Sequence, residues 1–391
     1  LRSDCQAHAA ELLAHGPGRF PAAVPGERGS AVREIDAWMD VCVLEERGAN
    51  PDTGTVRGGG QRASGTGRAD GSHVRTSGGR GCSGEPRFDQ VVPSGGYLWW
   101  YVDAMSDDGL FGLTLIAFVG SVFSPYYAWA RRRPGSDPEH YCALNVALYS
   151  RGANRWCMTE RGRRHSHRDA SQLVIGPSRV HWQGEHLDIE VNEVTAPIPR
   201  RVQGRIRLHP TQLFNFSTAL DVHERHRWGP LAPSARIEVD LQSPRQRWSG
   251  HAYLDSNEGD EPIDRGFHRW NWSRSRLRDG STAVMYDMQW PDQADRVLSL
   301  RFGRQGDVQT FPPPPRQALR NTRWGLQRQM RSPGPVQVQQ QLEDTPFYQR
   351  AVLSHELLGE SVQSFHETLS VPRLVSPLVQ AMLPWRMPRM S

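Results

Sequence analysis

The sequence contains no lysine: every residue in its lysine-plus-arginine total of 47 is arginine. That absence excludes Schiff-base chemistry, a P-loop lysine and a Ser-Lys pair. Cysteine is sparse and odd in number, with Cys5, Cys42, Cys82, Cys142 and Cys157 and no CxxC spacing. Neither a disulfide framework nor a thiolate zinc site follows, and a reducing compartment is the expectation. The first residues lack the basic-then-apolar pattern of a secretory signal. One uncharged run, Leu110 to Ala130, is long enough to span a bilayer and is followed by Arg131, Arg132 and Arg133. It also holds Gly112, Gly120, Ser121, Ser124 and Pro125 among many β-formers, so we expect one or two buried strands there. The usual His/carboxylate metal motifs are missing as well. His165 and His167 lie in an arginine-rich stretch, and the run Arg161 to Arg164 is expected on a surface loop. Gly229-Pro230 argues against the helix that the spacing of His223 and His226 would need.

What is present divides in two. Residues 1–86 are rich in Gly, Arg, Ser and Thr, including Gly58-Gly59-Gly60, and cannot bury a core. We expect a disordered extension, and an over-extended start site would explain it. From Pro86 onward aromatics are dense and strand-like alternation recurs. Ile237, Val239 and Leu241 alternate with Glu238 and Asp240, and Leu298, Leu300 and Phe302 alternate with Ser299 and Arg301. Short strands separated by Gly, Pro and Asp turns predict an all-β sandwich or barrel. A weak internal repeat suggests two such units. Tyr97-Leu98-Trp99-Trp100 leads through Asp108-Gly109 to Leu113 and Leu115, and Phe267-His268-Arg269-Trp270 leads through Asp279-Gly280 to Ala283 and Met285. The expected division is 87–260 and 261–391, the latter ending in a short helix around Leu374 to Leu383.

Two short steps carry chemistry. In a strand, residues two apart share a face roughly 7 Å apart. His226 and Trp228 therefore share a face, as do Tyr253 and Asp255. Were both strands to line one cavity, a carboxyl, an imidazole and two aromatic rings would converge there: an acid beside groups able to stabilise a cation. Ordinary half-buried strands with polar decoration would show the same spacing.

Three stretches, Gly96-Tyr97-Leu98-Trp99-Trp100-Tyr101-Val102-Asp103, Gly120-Ser121-Val122-Phe123-Ser124-Pro125-Tyr126-Tyr127 and Tyr253-Leu254-Asp255-Ser256-Asn257-Glu258-Gly259, closely resemble the acyclic carotenoid 1,2-hydratases (hydroxyneurosporene synthases) of photosynthetic bacteria. The resemblance is taken to run from about Arg87 to the C-terminus. It implies two lipocalin-like β domains and a hydro-lyase that adds water across the terminal C1–C2 double bond of neurosporene, lycopene and related carotenoids without a cofactor. It implies Asp255 as proton donor, with His226, Trp228 and Tyr253 completing the catalytic group. His226 is left two roles, orienting Asp255 or accepting a proton from the attacking water. The implied partners are an acyclic carotenoid, water and membrane lipid, with no nucleic acid. The implied location is cytoplasmic, peripheral to the photosynthetic membrane. The alternative from another class is a lipocalin-like carotenoid or lipid carrier without chemistry.

Overall fold

The computed structural model describes residues 84–150, 154–291 and 294–390. The expected disordered extension falls, up to residue 83, outside the described residues. The described chain is built on two large antiparallel sheets, as an all-β reading requires.

The first sheet has 13 strands. Its aromatic hairpin is β1 (Tyr97–Ser106) and β2 (Phe111–Val119), continued outward by β3 (Cys142–Ser150) and β4 (Arg155–Arg161). Next in the chain come β5 (Ser166–Arg168), β6 (Gln172–Ile175), β7 (Ser178–Trp182), β8 (Leu187–Val194), β9 (Arg201–Pro210) and β10 (Thr218–Ala219), then the long pair β11 (His226–Ser243) and β12 (Gln246–Gly259). β12 lies between β1 and β11, deep inside the sheet.

The second sheet has seven strands and repeats the plan. Its aromatic hairpin is β13 (Arg269–Arg276) and β14 (Thr282–Gln289), extended by β15 (Arg296–Phe302) and β16 (Val308–Thr310). A small separate ribbon, β17 (Arg316–Leu319) with β18 (Arg328–Arg331), precedes β19 (Gln337–Asp344), β20 (Tyr348–Leu357) and β21 (Glu360–Ser370). β13 is flanked by its hairpin mate and by the late strand β21, just as β1 is flanked by β2 and β12. The two Asp-Gly hairpins of the sequence repeat thus occupy equivalent places. After β21 the chain forms short helices and returns: β22 (Arg389–Met390) pairs in parallel with Glu160 and Arg161 of β4.

Both faces of β1 are buried, which is why it reads as an almost unbroken apolar run. Leu98, Trp100, Val102 and Ala104 join Leu113, Leu115, Ile237 and Leu254 in the core of the first sheet. Tyr97, Trp99 and Tyr101 point the other way and join Trp228 and Tyr253 against Trp270, Trp272, Tyr286 and Phe365 of the second sheet. That shared aromatic layer is the seam between the sheets. Alternation along β12 puts Leu254 into the first core and its neighbours Tyr253 and Asp255 on the seam side.

Of two local expectations, one is met and one needs correction. The uncharged run 110–130 holds one buried strand, β2, within the expected one or two, and then the helix α1 (Pro125–Ala130). Ser124 caps α1 by accepting the Tyr127 N–H, and Pro125 at the first helical position favours the turn. Among the described residues no helix is long and apolar enough to cross a membrane. The basic run 161–164 is not wholly a surface loop. Arg161 is buried and pairs with the buried Glu193 at 3.2 Å, because its strand end lies over β8.

Candidate active site

Asp255 sits on β12 and is 3% exposed. The Trp228 indole donates its N–H to Asp255 Oδ2 at 2.7 Å, and the Tyr253 hydroxyl donates to the same oxygen at 2.9 Å. Oδ1 is buried and has no hydrogen-bond partner among the described residues. Burial pushes the carboxyl up to about 8; the two donors pull it down, and the nearby charges of Glu367 and Asp103 add to the rise. Since Oδ2 already accepts two hydrogen bonds, a proton on this acid belongs on Oδ1, the bare oxygen.

The rings around it come from both sheets. Tyr253 packs at 5.3 Å from Trp272 and edge-on to Tyr101 at 6.3 Å. Trp228 meets Tyr286 of the second sheet edge-on at 5.7 Å. The polar groups behind the rings are linked across the seam. Tyr101 donates to Glu367 Oε1 at 2.6 Å, and Arg350 Nε donates to the same oxygen at 2.8 Å. Arg350 Nη1 also donates to Glu343 and to the Tyr149 hydroxyl, both at 2.5 Å. Arg274 of β13 reaches across to Asp103 of β1, with its Nε at 2.6 Å from Oδ1.

Three of the four residues singled out from sequence are thus in one hydrogen-bonded group: Asp255, Tyr253 and Trp228. His226 is not part of it. Across β11 and β12 the register sets His226 opposite Gly259 and Pro230 opposite Asp255. Four residues of strand, about 13 Å, separate those pairs. His226 Nδ1 instead bonds the Tyr97 hydroxyl at 2.9 Å, and Nε2 faces Glu261 at 3.6 Å. Gly266 closes the slot, since a Cβ there would lie 2.3 Å from Nε2. Burial pushes the imidazole down, opposed by Asp221 and Glu261, so it is mostly neutral at pH 7. The expectation that His226 orients Asp255 is therefore replaced: Trp228 and Tyr253 hold that carboxyl. Shared strand face was legible; which neighbour each side chain meets depended on register. Trp272, Tyr286, Glu367, Arg350, Asp103 and Arg274 were not identified from sequence as site residues. A lone charge in an aromatic strand, as at Asp103 in β1, is the signal that marks one of them.

These contacts separate two variants. Tyr253→Phe removes a donor that favours the ionised carboxyl, so the alkaline limb of kcat/KM is expected to move to higher pH. His226→Ala is expected to lower stability by about 1–3 kcal/mol through the stranded Tyr97 hydroxyl. It should leave the alkaline limb in place. A pH profile of both, with thermal unfolding, checks the pair.

Comparison with known proteins shows the family. The family model for carotenoid hydratase CrtC matches residues 115–391. The acyclic carotenoid 1,2-hydratase of Rubrivivax gelatinosus is 58% identical over 384 residues, covering 97% of this chain and 95% of that protein. The protein of the same name from Thiocapsa roseopersicina is 48% identical, covering 96% of this chain and 94% of its own length. The one from Cereibacter sphaeroides is 40% identical, covering 70% of this chain and 98% of its own. With the first two, similarity runs through most of residues 1–86, which corrects the expectation that it begins near Arg87. The chain belongs to the carotenoid hydratase CrtC family and is a hydro-lyase.

Proposed function

We propose that this chain adds water across the terminal C1–C2 double bond of acyclic carotenoids such as neurosporene and lycopene, with Asp255 as the proton donor. One observation carries the reading: a buried carboxyl with two neutral donors on one oxygen and a bare second oxygen, set in an aromatic seam. An isolated trisubstituted alkene is inert until protonated. A proton passed from Oδ1 to C2 leaves a tertiary cation at C1, and water bonds to that carbon. An acid with a pKa near 8 holds its proton at neutral pH, where an ordinary aspartic acid does not.

The rings of Trp228, Tyr253 and Trp272 stabilise the cation without trapping it, at up to about 2 kcal/mol per ring when desolvated. Each 1.4 kcal/mol is roughly tenfold in rate, so exclusion of bulk water and orientation supply the rest. The steps call on a proton, ring faces and water, and on no cofactor. His226 serves here as a neutral buttress that fixes the start of β11, two residues before Trp228. We place the division between the two β units near residue 260, where β12 ends and β13 has yet to begin. Expressing the full chain in cells that make lycopene tests the reading. The expected result is a pigment gaining the mass of one water per hydrated end; pigment of unchanged mass from folded protein sinks it.

A long polyene resides in lipid, so we also propose contact with a membrane surface. Trp129 on α1 and Trp385 on the terminal helix 377–386 are each 57% exposed, Leu378 is 54% exposed, and the two helices pack together. Arg132 and Arg133 come just after α1 and its cap residue Arg131. Exposed Trp with a basic margin is the composition of an interfacial anchor. The full chain is expected to co-sediment with vesicles of phosphatidylcholine and phosphatidylglycerol. Trp129→Ser with Trp385→Ser should cut the bound fraction severalfold at unchanged melting temperature.

A further inference from the structure

We propose that Asp103 is the second carboxylate of the reaction, the base that takes a proton from water as it attacks C1. The inference rests on the hydration proposed above and deepens it. β1 and β12 run antiparallel with Tyr101 opposite Asp255 and Asp103 opposite Tyr253. Tyr101 and Tyr253 face the seam, and Asp103 reaches Arg274 on the far sheet, so all four side chains stand on one face. Asp103 is the diagonal neighbour of Asp255, a placement that sets backbones roughly 7–8 Å apart. The two carboxyls therefore stand on neighbouring positions of one sheet face.

Each carboxyl is satisfied on one oxygen and bare on the other. Asp103 is fully buried; its Oδ1 takes Arg274, and Oδ2 has no hydrogen-bond partner among the described residues. The Tyr101 hydroxyl is close enough to favour the charge on Asp103, but its single proton is bonded to Glu367. Glu367 Oε1, by contrast, already holds Tyr101 and Arg350. Two bare, buried carboxyl oxygens on one patch are costly to a fold, and such gaps call for an explanation. A reacting alkene end and its water would fill both.

The partners divide the roles. Burial raises both carboxyls, but Arg274 draws Asp103 back toward the ionised form, whereas Asp255 has neutral donors alone. In the step, the Asp255 Oδ1–H bond breaks and its hydrogen bonds to C2, while the alkene pair leaves C1 positive. The water oxygen then bonds to C1, and one water O–H breaks with its proton passing to Asp103 Oδ2. The proton moves from Asp103 to Asp255 before the next turnover, so substrate and water are the sole inputs.

The test is hydration of an acyclic carotenoid in D2O by the full chain, Asp103→Asn and Asp103→Asn with Arg274→Gln. The double variant removes the guanidinium that the single one leaves unbalanced. Both are first shown to unfold cooperatively. Hydrated product is expected to fall at least about 100-fold in each. Unhydrated pigment recovered from them should carry deuterium at C2, because a cation that forms and is not captured loses a C2 hydrogen back to Asp255. Near-normal hydration by the double variant would overturn the proposal. So would loss of deuterium uptake together with hydration, which would make Asp103 a support for protonation instead. If wild-type protein itself neither hydrates nor exchanges, the hydration reading fails, independently of Asp103.

Discussion

Asp255→Asn is expected to abolish hydration while making the protein harder to unfold at neutral pH. The loss of activity should be at least about 10³-fold, because the side-chain amide retains the shape of the acid but has no proton to give at useful strength. The gain in stability follows from linkage. The folded carboxyl holds its proton up to a pKa of about 8, while the unfolded chain releases it near the ordinary 3.8. Between about pH 4 and 8 the native state therefore binds a proton that the unfolded state lacks, and stability falls as pH rises through that window. Each tenfold change in proton affinity is worth about 1.4 kcal/mol, so the destabilisation at pH 7 has an upper bound of order 4 kcal/mol. Asn escapes that penalty and still accepts from Trp228 and Tyr253 through its carbonyl. Its amide N–H groups take the place of the bare Oδ1 and lack acceptors, which returns about 1–3 kcal/mol. A net gain of about 1–3 kcal/mol at pH 7, shrinking toward pH 4, is the expected result in denaturant titrations. Wild-type stability that is flat across that window would mean the carboxyl is not held protonated. Retained pigment binding by this variant separates failed chemistry from failed uptake and so sets the hydratase apart from a carrier.

Arg350→Met should have the largest effect on stability. Arg350 is 1% exposed and its guanidinium serves Glu367, Glu343 and the Tyr149 hydroxyl at once. Tyr149 and Tyr101 belong to the first sheet, Glu367, Glu343 and Arg350 to the second, so this network fastens the seam. Met fills similar volume but leaves two carboxylates in a dry layer without a cation. Breaking a buried pair on one side in this way costs about 3–5 kcal/mol. Against an ordinary stability margin of about 5–15 kcal/mol that is a sizeable loss. Thermal unfolding should fall accordingly, and Glu367→Gln added to Arg350→Met should return part of the loss, since the two residues are coupled. A variant melting within a degree or two of wild type would show that the network is not what joins the sheets.

The face that carries the candidate site was legible in the sequence; the partners were not. Alternation alone put Tyr253 with Asp255 and His226 with Trp228, and it held. The Asp-Gly hairpins at 108–109 and 279–280 were readable because that dipeptide suits the tight turn between strands. What alternation does not contain is register. Only the pairing of His226 with Gly259 shows that the imidazole lies about four residues of strand from the acid. The second half of the seam was beyond reach for a different reason. Trp272, Arg350 and Glu367 meet Tyr101 and Asp255 by packing one sheet on another, and no local pattern encodes such a meeting. The stretch 120–130 left a second strand open because its apolar content resembles one, while Ser124-Pro125, a cap followed by a helix-starting proline, was the stronger local instruction.

The return of Arg389 and Met390 to the edge of β4 affects how the protein is made. That edge belongs to a sheet whose other strands are all synthesised by residue 259, yet its covering strand is made about 130 residues later. Throughout translation of the second half, β4 presents unpaired backbone to any neighbour, the situation in which strands from different chains join. Bulk added beside Met390 would crowd the closure, including the ion pair between Arg389 and Glu160.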